Sequence, residues 1–494
     1  MSQTLEKNKA ANAARNDESG DGPSRARPFL PIGLLPFALT ALGSVSAWLY
    51  DFAGFLQSFG QGVAVYTATF IAQFALYLGA CYLVLRRENS GRSFSHGWVA
   101  LVVILAFATV FRAQLIDQPP YLSTDVYRYV WDGRVQSEGI NPYRYLPVAE
   151  ELAHLRDDHI YPQINRREFA HTIYPPAAQA IFLAANLARP SSVSGFKAAM
   201  SLFDALAALA LALALARAGL DPARVVIFAW HPLVIWESAH SGHIESAAMA
   251  FLALALLAWT YDRRALAGVA LAIATLVKLY PALLLPLFIT RRDASDPREQ
   301  NVPPVRGPFR LSGLFQRLSY WAVFAFAATV ALAYVPYIGA GWGVLGYLPE
   351  YFKEEGFVHA GNRYLLLALA RKALPLPTLA YSITAALALA GFAAWLLFGK
   401  RRDVIDVARG ASAMIGLFLI LSSPRYGWYI AWIIPFLVFA PSAGWLYLTG
   451  ASVLLYLLWL TGDYPNVPLW LGAAIYLPAL VLLAWERVRV RFSM

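Results

Sequence analysis

The chain of 494 residues predicts an all-α membrane protein with many crossings, on three observations. Hydrophobic residues make up 59% and charged residues 14% of it, against about 45–50% and about 25% in ordinary soluble proteins. Apolar runs near the roughly 20 residues that span a bilayer recur along the chain with short polar segments between them. Lys and Arg gather at alternate ends of those runs, as cytoplasmic loops do. No polar region is long enough for a second domain. The single cysteine, Cys81, lies in an apolar run, which excludes a disulfide framework and a cysteine metal site. The net charge of +10 fits loops facing anionic lipid rather than a nucleic-acid surface.

Taken in order, residues 1–28 read as a disordered cytoplasmic tail, polar and carrying Lys7, Lys9, Arg15, Arg25 and Arg27. No cleavable signal precedes the first apolar run at Phe29. The membrane body is expected over 29–486, with a basic cytoplasmic tail at 487–494. Its first spans fall near 29–50, 63–85 and 97–116, and Arg86-Arg87 holds the 86–96 loop inside. Residues 117–174 then form a large external loop, followed by a short, proline-led re-entrant or interfacial helix. Further spans lie near 196–218, 224–239 and 244–261. Between Arg264 and Arg291, an apolar stretch broken by Lys278 and Pro281 is too short for two crossings. Two half-helices dipping into the membrane fit it, and such backbone is tolerated only beside a cavity or buried in protein. A basic loop at 291–317 leads to spans near 318–338 and 376–398. Four shorter ones follow near 410–423, 428–441, 445–461 and 468–486. The sum is about 12 crossings with both termini inside, in what the Ala-rich composition suggests is a bacterial inner membrane.

This topology sends the out-of-place polar segments to one side. They are the 117–174 loop, SAHSGHIES, FVHAGNRY, SSPRYGWY and TGDYPN, and ionisable groups near a membrane are costly and usually functional. The richest is YLSTDVYRYVWDGRVQSEGINPYRY, residues 121–145. Asp125, Tyr129, Asp132 and Gln136 recur at helical spacing as one polar stripe. Ser123-Thr124 precede it as caps, and Gly139 with Pro142 ends it. Asp125 would stand at the helix start, where the dipole favours an ionised carboxylate. Two readings stay open: Asp125 as a mere cap with Asp132 as the intrahelical partner of Arg128, or a chemical role.

An aspartate, an aromatic-rich helix and then G-I-N-P-Y in the first external loop resemble the GT-C superfamily. The likeness is to its polyprenyl-phosphate-mannose-dependent mannosyltransferases, including glycosyltransferase family 87. TIYPPAAQ, HPLVIWESAHSGHIES, VKLYPALLLPLF and SPRYGWYIAWIIPF match in order between about residues 115 and 440. The resemblance implies a GT-C-like body and an inverting transferase that takes a sugar, by preference mannose, from a polyprenyl-phosphate donor. A glycolipid or lipid-linked glycan would accept it on the extracytoplasmic side. It also implies that the loop aspartate, here Asp125, is the general base. The chain departs from the family in lacking a second acidic residue beside the first. His231-Pro232 replaces the usual Asn-Pro, and Glu245 replaces the usual Asp. No cofactor is expected, and the missing neighbour of Asp125 argues against a divalent metal.

Hydroxyl attack on an anomeric carbon needs a base within hydrogen-bond reach, and a departing lipid phosphate needs fixed cations. Asp125 is first choice for the base, with His243 or Glu245 second. Arg425 leads for the phosphate, followed by Arg363 and His359, with Lys278 if the half-helices open outward. The alternative for Arg425 is snorkelling to headgroups. His240, His243 and Glu245 make a poor metal set, so His243 is read as a cap or a partner of sugar hydroxyls and His240 as packing at the interface. Asp132, His171 and Tyr174 are candidate binding residues, and Tyr127, Tyr129, Trp131, Tyr426, Trp428 and Tyr429 candidate sugar-stacking rings, unless they only make an interfacial belt. The competing function is a transporter or flippase of lipid-linked sugars, which would bury ionisable groups mid-span; Asp204 and Lys278 are the obvious ones here. Arabinose or glucose transfer is a third reading.

Overall fold

The computed structural model describes residues 34–57, 62–88, 97–290, 319–355, 364–399, 403–461 and 466–492. The expected tail at 1–28 and the basic loop at 291–317 lie outside them. Every described element is helical. Among the described residues, eight helices are long and apolar enough to cross a membrane, from Gly62–Glu88 to Leu469–Arg489. All eight fall on expected spans. The other four spans differ in build. The first is the 24-residue helix Leu34–Gln57, while Glu245–Thr260 and Gly427–Leu437 are shorter apolar helices.

The span expected at 224–239 is not one helix. It is a chain of short turns, Pro222–Val225, Val226–Ala229 and Pro232–Ile235, closed by the π-turn Trp236–His240. Pro222 and Pro232 each lack the N–H that continued helix would use. Asp221 and His231 instead cap the next turn, accepting from the N–H groups of Ala223 and Leu233. Residues 225–250 are all buried, and that burial in protein is what lets irregular backbone persist at membrane depth.

The stretch after Arg264 folds as the expected hairpin. Helix Arg264–Val277 rises, Lys278 is extended, and the chain comes back through Tyr280–Leu284 and Leu285–Phe288. Its two feet meet the same helix, Tyr320–Tyr334. Gly268 packs against the backbone of Ala322, and the Ile289 carbonyl accepts a hydrogen bond from the Ser319 N–H at 2.6 Å. The tip at Lys278 therefore reaches away from that end of the bundle, toward the 117–174 segment.

That segment supplies a 13-residue helix, Asp125–Ser137, as its polar stripe predicts. Tyr129, Asp132 and Gln136 of that stripe meet Phe182 and Gln179 of helix Pro176–Ala188, while Asp125 stays half-buried. A Cβ on Gly133 would come 2.3 Å from the Phe182 carbonyl oxygen, so only glycine permits the approach. Arg112 and Asp204 pair at 2.9 Å inside the bundle, both almost fully buried.

Candidate active site

Asp125 opens its helix, and its N–H donates to the Ser123 hydroxyl at 3.2 Å. Thr124, at the cap position, makes no side-chain capping bond. The Asp125 carboxylate is thus not spent on capping its own helix. The Asn165 amide donates to its Oδ1 at 2.8 Å, and among the described residues no hydrogen bond reaches Oδ2. Asp125 lines a cavity of about 900 Å³, toward the top of the roughly 300–1,000 Å³ usual for ligand sites.

Three cations share that wall: Arg128, Arg166 and Lys278. Lys278 Nζ lies 2.9 Å from Glu245 Oε1 and over the rings of Tyr174 and Tyr429, at 5.7 and 5.5 Å. Arg128 is tied to Asp132 at 2.8 Å and to the Ala170 carbonyl at 2.9 Å. Arg166 forks onto Glu354. Burial alone would lower the Arg166 guanidinium's pKa, but Glu354, and more weakly Asp125, hold it above its ordinary value. Burial and then the Arg128 charge press the His171 imidazole below its ordinary value. Aromatic faces complete the wall. Tyr280 stacks on Trp432 at 3.8 Å, and Tyr426 on Trp428 at 4.4 Å.

Of the residues expected to bind or react, Asp125, His171, Tyr174, Lys278, Tyr426 and Tyr429 line the cavity. Others stand behind it. Tyr129 receives the Tyr174 hydroxyl at 3.3 Å and stacks on Phe182. Asp132 is 2% exposed, held by Arg128 and Gln179, so its role here is to brace the helix pair. His243 Nδ1 meets Glu237 at 2.7 Å, its ring lies 4.3 Å from that of Trp428, and the Tyr456 hydroxyl donates to Glu237. Glu245 touches the cavity only through Lys278, and His240 is buried against Trp236. Tyr127 packs against the core. Arg425 is not in the wall although Pro424 and Tyr426 are; its guanidinium turns inward to the Glu355 carbonyl at 2.5 Å. His359 and Arg363 lie outside the described residues. Among the described residues no group of three or more His, Cys, Asp or Glu gathers as metal ligands would.

Sequence reasoning missed Asn165, Arg166, Glu354 and Trp432. The run Asn165-Arg166-Arg167-Glu168, polar and inside the loop already singled out, was the available signal for the first two. Glu354 and Trp432 carry none, because only tertiary contact brings them to the site.

The model of glycosyltransferase family 87 matches residues 172–424. A second family model, that of the alpha-(1->6)-mannopyranosyltransferase N-terminal domain, matches residues 30–292. No curated protein matches the chain. Each family match covers about half of the chain, and together they take in every residue that lines the cavity except Tyr426, Trp428, Tyr429, Trp432 and Trp459.

Proposed function

Because this chain belongs to glycosyltransferase family 87, and so is a membrane glycosyltransferase, we propose that it moves mannose from a polyprenyl-phosphate donor to a glycolipid or lipid-linked glycan. The reaction faces the extracytoplasmic side, with Asp125 as general base. The mannosyltransferase match supports the sugar. The observation that carries the mechanism is one cavity holding Asp125, with Oδ1 fixed by Asn165, and Lys278 at the tip of a hairpin.

The acceptor hydroxyl gives its proton to Asp125 Oδ2 as its oxygen attacks the anomeric carbon. The bond from that carbon to the phosphate oxygen breaks, and polyprenyl phosphate leaves with the electron pair on the opposite face, inverting the centre. Lys278 meets the growing charge, held in place by Glu245. Stacked Tyr426 and Trp428 offer a flat face for the sugar. No divalent metal takes part on this reading, since the next acidic residue, Asp132, is committed to Arg128 and Gln179. Transfer that persists in chelator is the matching outcome.

The test is transfer by the purified protein in lipid nanodiscs from a panel of polyprenyl-phosphate sugars. Mannose should be the best donor, and Asp125→Asn should slow transfer by about 10²–10⁴-fold. Undiminished transfer by Asp125→Asn refutes the base. Preference for arabinose or glucose corrects the sugar, and no transfer from any donor favours a carrier of lipid-linked sugars.

A further inference from the structure

Arg166 and Glu354 lie 188 residues apart in the chain and meet on the wall of the cavity. Nε of Arg166 lies 2.9 Å from both carboxylate oxygens, and Nη2 lies 2.6 Å from one. This two-pronged geometry fits a phosphate as well as a carboxylate. The pair differs from the other two cations of the wall in its partner. Asp132 and Glu245, which hold Arg128 and Lys278, have side chains 2% exposed, whereas that of Glu354 is 37% exposed. A buried carboxylate cannot let go without stranding its charge, while an exposed one can turn to water. The backbone also marks the position. Arg166 sits at φ 54°, in the left-handed region that strains a residue with a side chain, and such strain persists where surroundings enforce it. The preceding residue, Asn165, is the one that holds Asp125. One dipeptide therefore fixes the carboxylate at 125 and aims a guanidinium into the same cavity.

Building on the lipid-phosphate donor proposed above, we infer that Arg166 binds the donor phosphate and that Glu354 competes with that phosphate for the same guanidinium. The exchange suits the reaction. A sugar phosphodiester carries one negative charge, and the departing lipid monophosphate gains a second. The anion therefore displaces a carboxylate best once the glycosidic bond is breaking, which is when added binding speeds the chemistry.

The probe is sugar-free polyprenyl monophosphate, titrated into the full-length protein in nanodiscs of neutral lipid and followed by tryptophan fluorescence. Arg166→Ala should weaken binding roughly 10- to 100-fold, the loss of a charged bidentate contact. Arg166→Lys, which keeps the charge without the fork, should fall between. The deciding variant is Glu354→Gln. Competition predicts tighter binding, by up to about fivefold, and no further gain when Arg166→Ala is already present. A pair that merely fastens two segments together predicts weaker binding in Glu354→Gln, and that result overturns the inference. Phosphatidylglycerol titrated in place of the probe distinguishes the source: an equal Glu354→Gln effect there would mean that the fork takes bulk headgroups, which also overturns it. Wild-type protein that binds no polyprenyl monophosphate sinks the donor reading itself. Wild-type binding that Arg166→Ala leaves unchanged sinks only the role of Arg166.

Discussion

Replacing Lys278 separates a cation that holds the fold from one that serves the reaction. Its Nζ lies 2.9 Å from Glu245, and the two side chains are 19% and 2% exposed. Lys278→Ala strands the Glu245 carboxylate, and removing one partner of a buried pair costs about 3–5 kcal/mol. Removing both charges, as Lys278→Met with Glu245→Gln, takes away the stranded charge and is often neutral. The thermal unfolding midpoint should therefore fall in the single variant and return close to wild type in the double one. Transfer should not return with it. The double variant folds but has lost a fixed cation for the leaving phosphate, and losing one such group lowers kcat about 10²–10³-fold, or about 2.7–4 kcal/mol. Both readouts come from one preparation, by tryptophan fluorescence on heating and by steady-state sugar transfer. A double variant that transfers at the wild-type rate refutes the role of Lys278 in the reaction. A Lys278→Ala protein as stable as wild type refutes the burial argument.

Three further outcomes follow from other contacts. Asp204→Ala leaves Arg112 buried without its carboxylate and should lower stability by about 3–5 kcal/mol, while the KM of whatever folds stays at the wild-type value, since neither residue lines the cavity. Gly346→Ala places a Cβ 1.6 Å from the Thr172 carbonyl oxygen at a backbone φ of +53°; hydrogen exchange should show the 343–354 and 170–174 segments parting, and transfer should fall with it. His171, held below its ordinary pKa by burial and Arg128, takes up a proton later in the folded protein than in the unfolded chain. Stability should thus decline as pH drops below about 6.5, the unfolded value, and His171→Asn should flatten that decline in unfolding midpoints measured against pH.

Much of the fold was legible because lipid imposes length and proline imposes breaks. Eight apolar runs became eight spanning helices, and Lys278 with Pro281 forecast the hairpin. The run at 224–239 misled, since its apolar residues suggest a short crossing while Pro232 and the capping His231 prevent one continuous helix. At the site, Asp125 could be found from helical spacing and from its place in a polar loop. The direction of a side chain could not. Arg425 sits between two wall residues yet faces Glu355, a choice made by the φ and ψ of one turn. For Asp132 the i,i+4 spacing did offer the answer, since it pairs with Arg128 as the plainer of its two readings had it. Asn165 and Arg166 reach Asp125 and Glu354 across 40 and 188 residues, and no local pattern encodes such a pairing.

The hairpin that carries Lys278 stands on feet set against Ala322 and Ser319, whereas Asp125 opens a helix of the 117–174 loop. Carboxylate and cation thus reach one cavity on separate supports, one hung from a loop and the other raised on a strut. Whatever shifts the hairpin against Ala322 and Ser319 therefore moves the cation without pulling on the loop that carries the carboxylate.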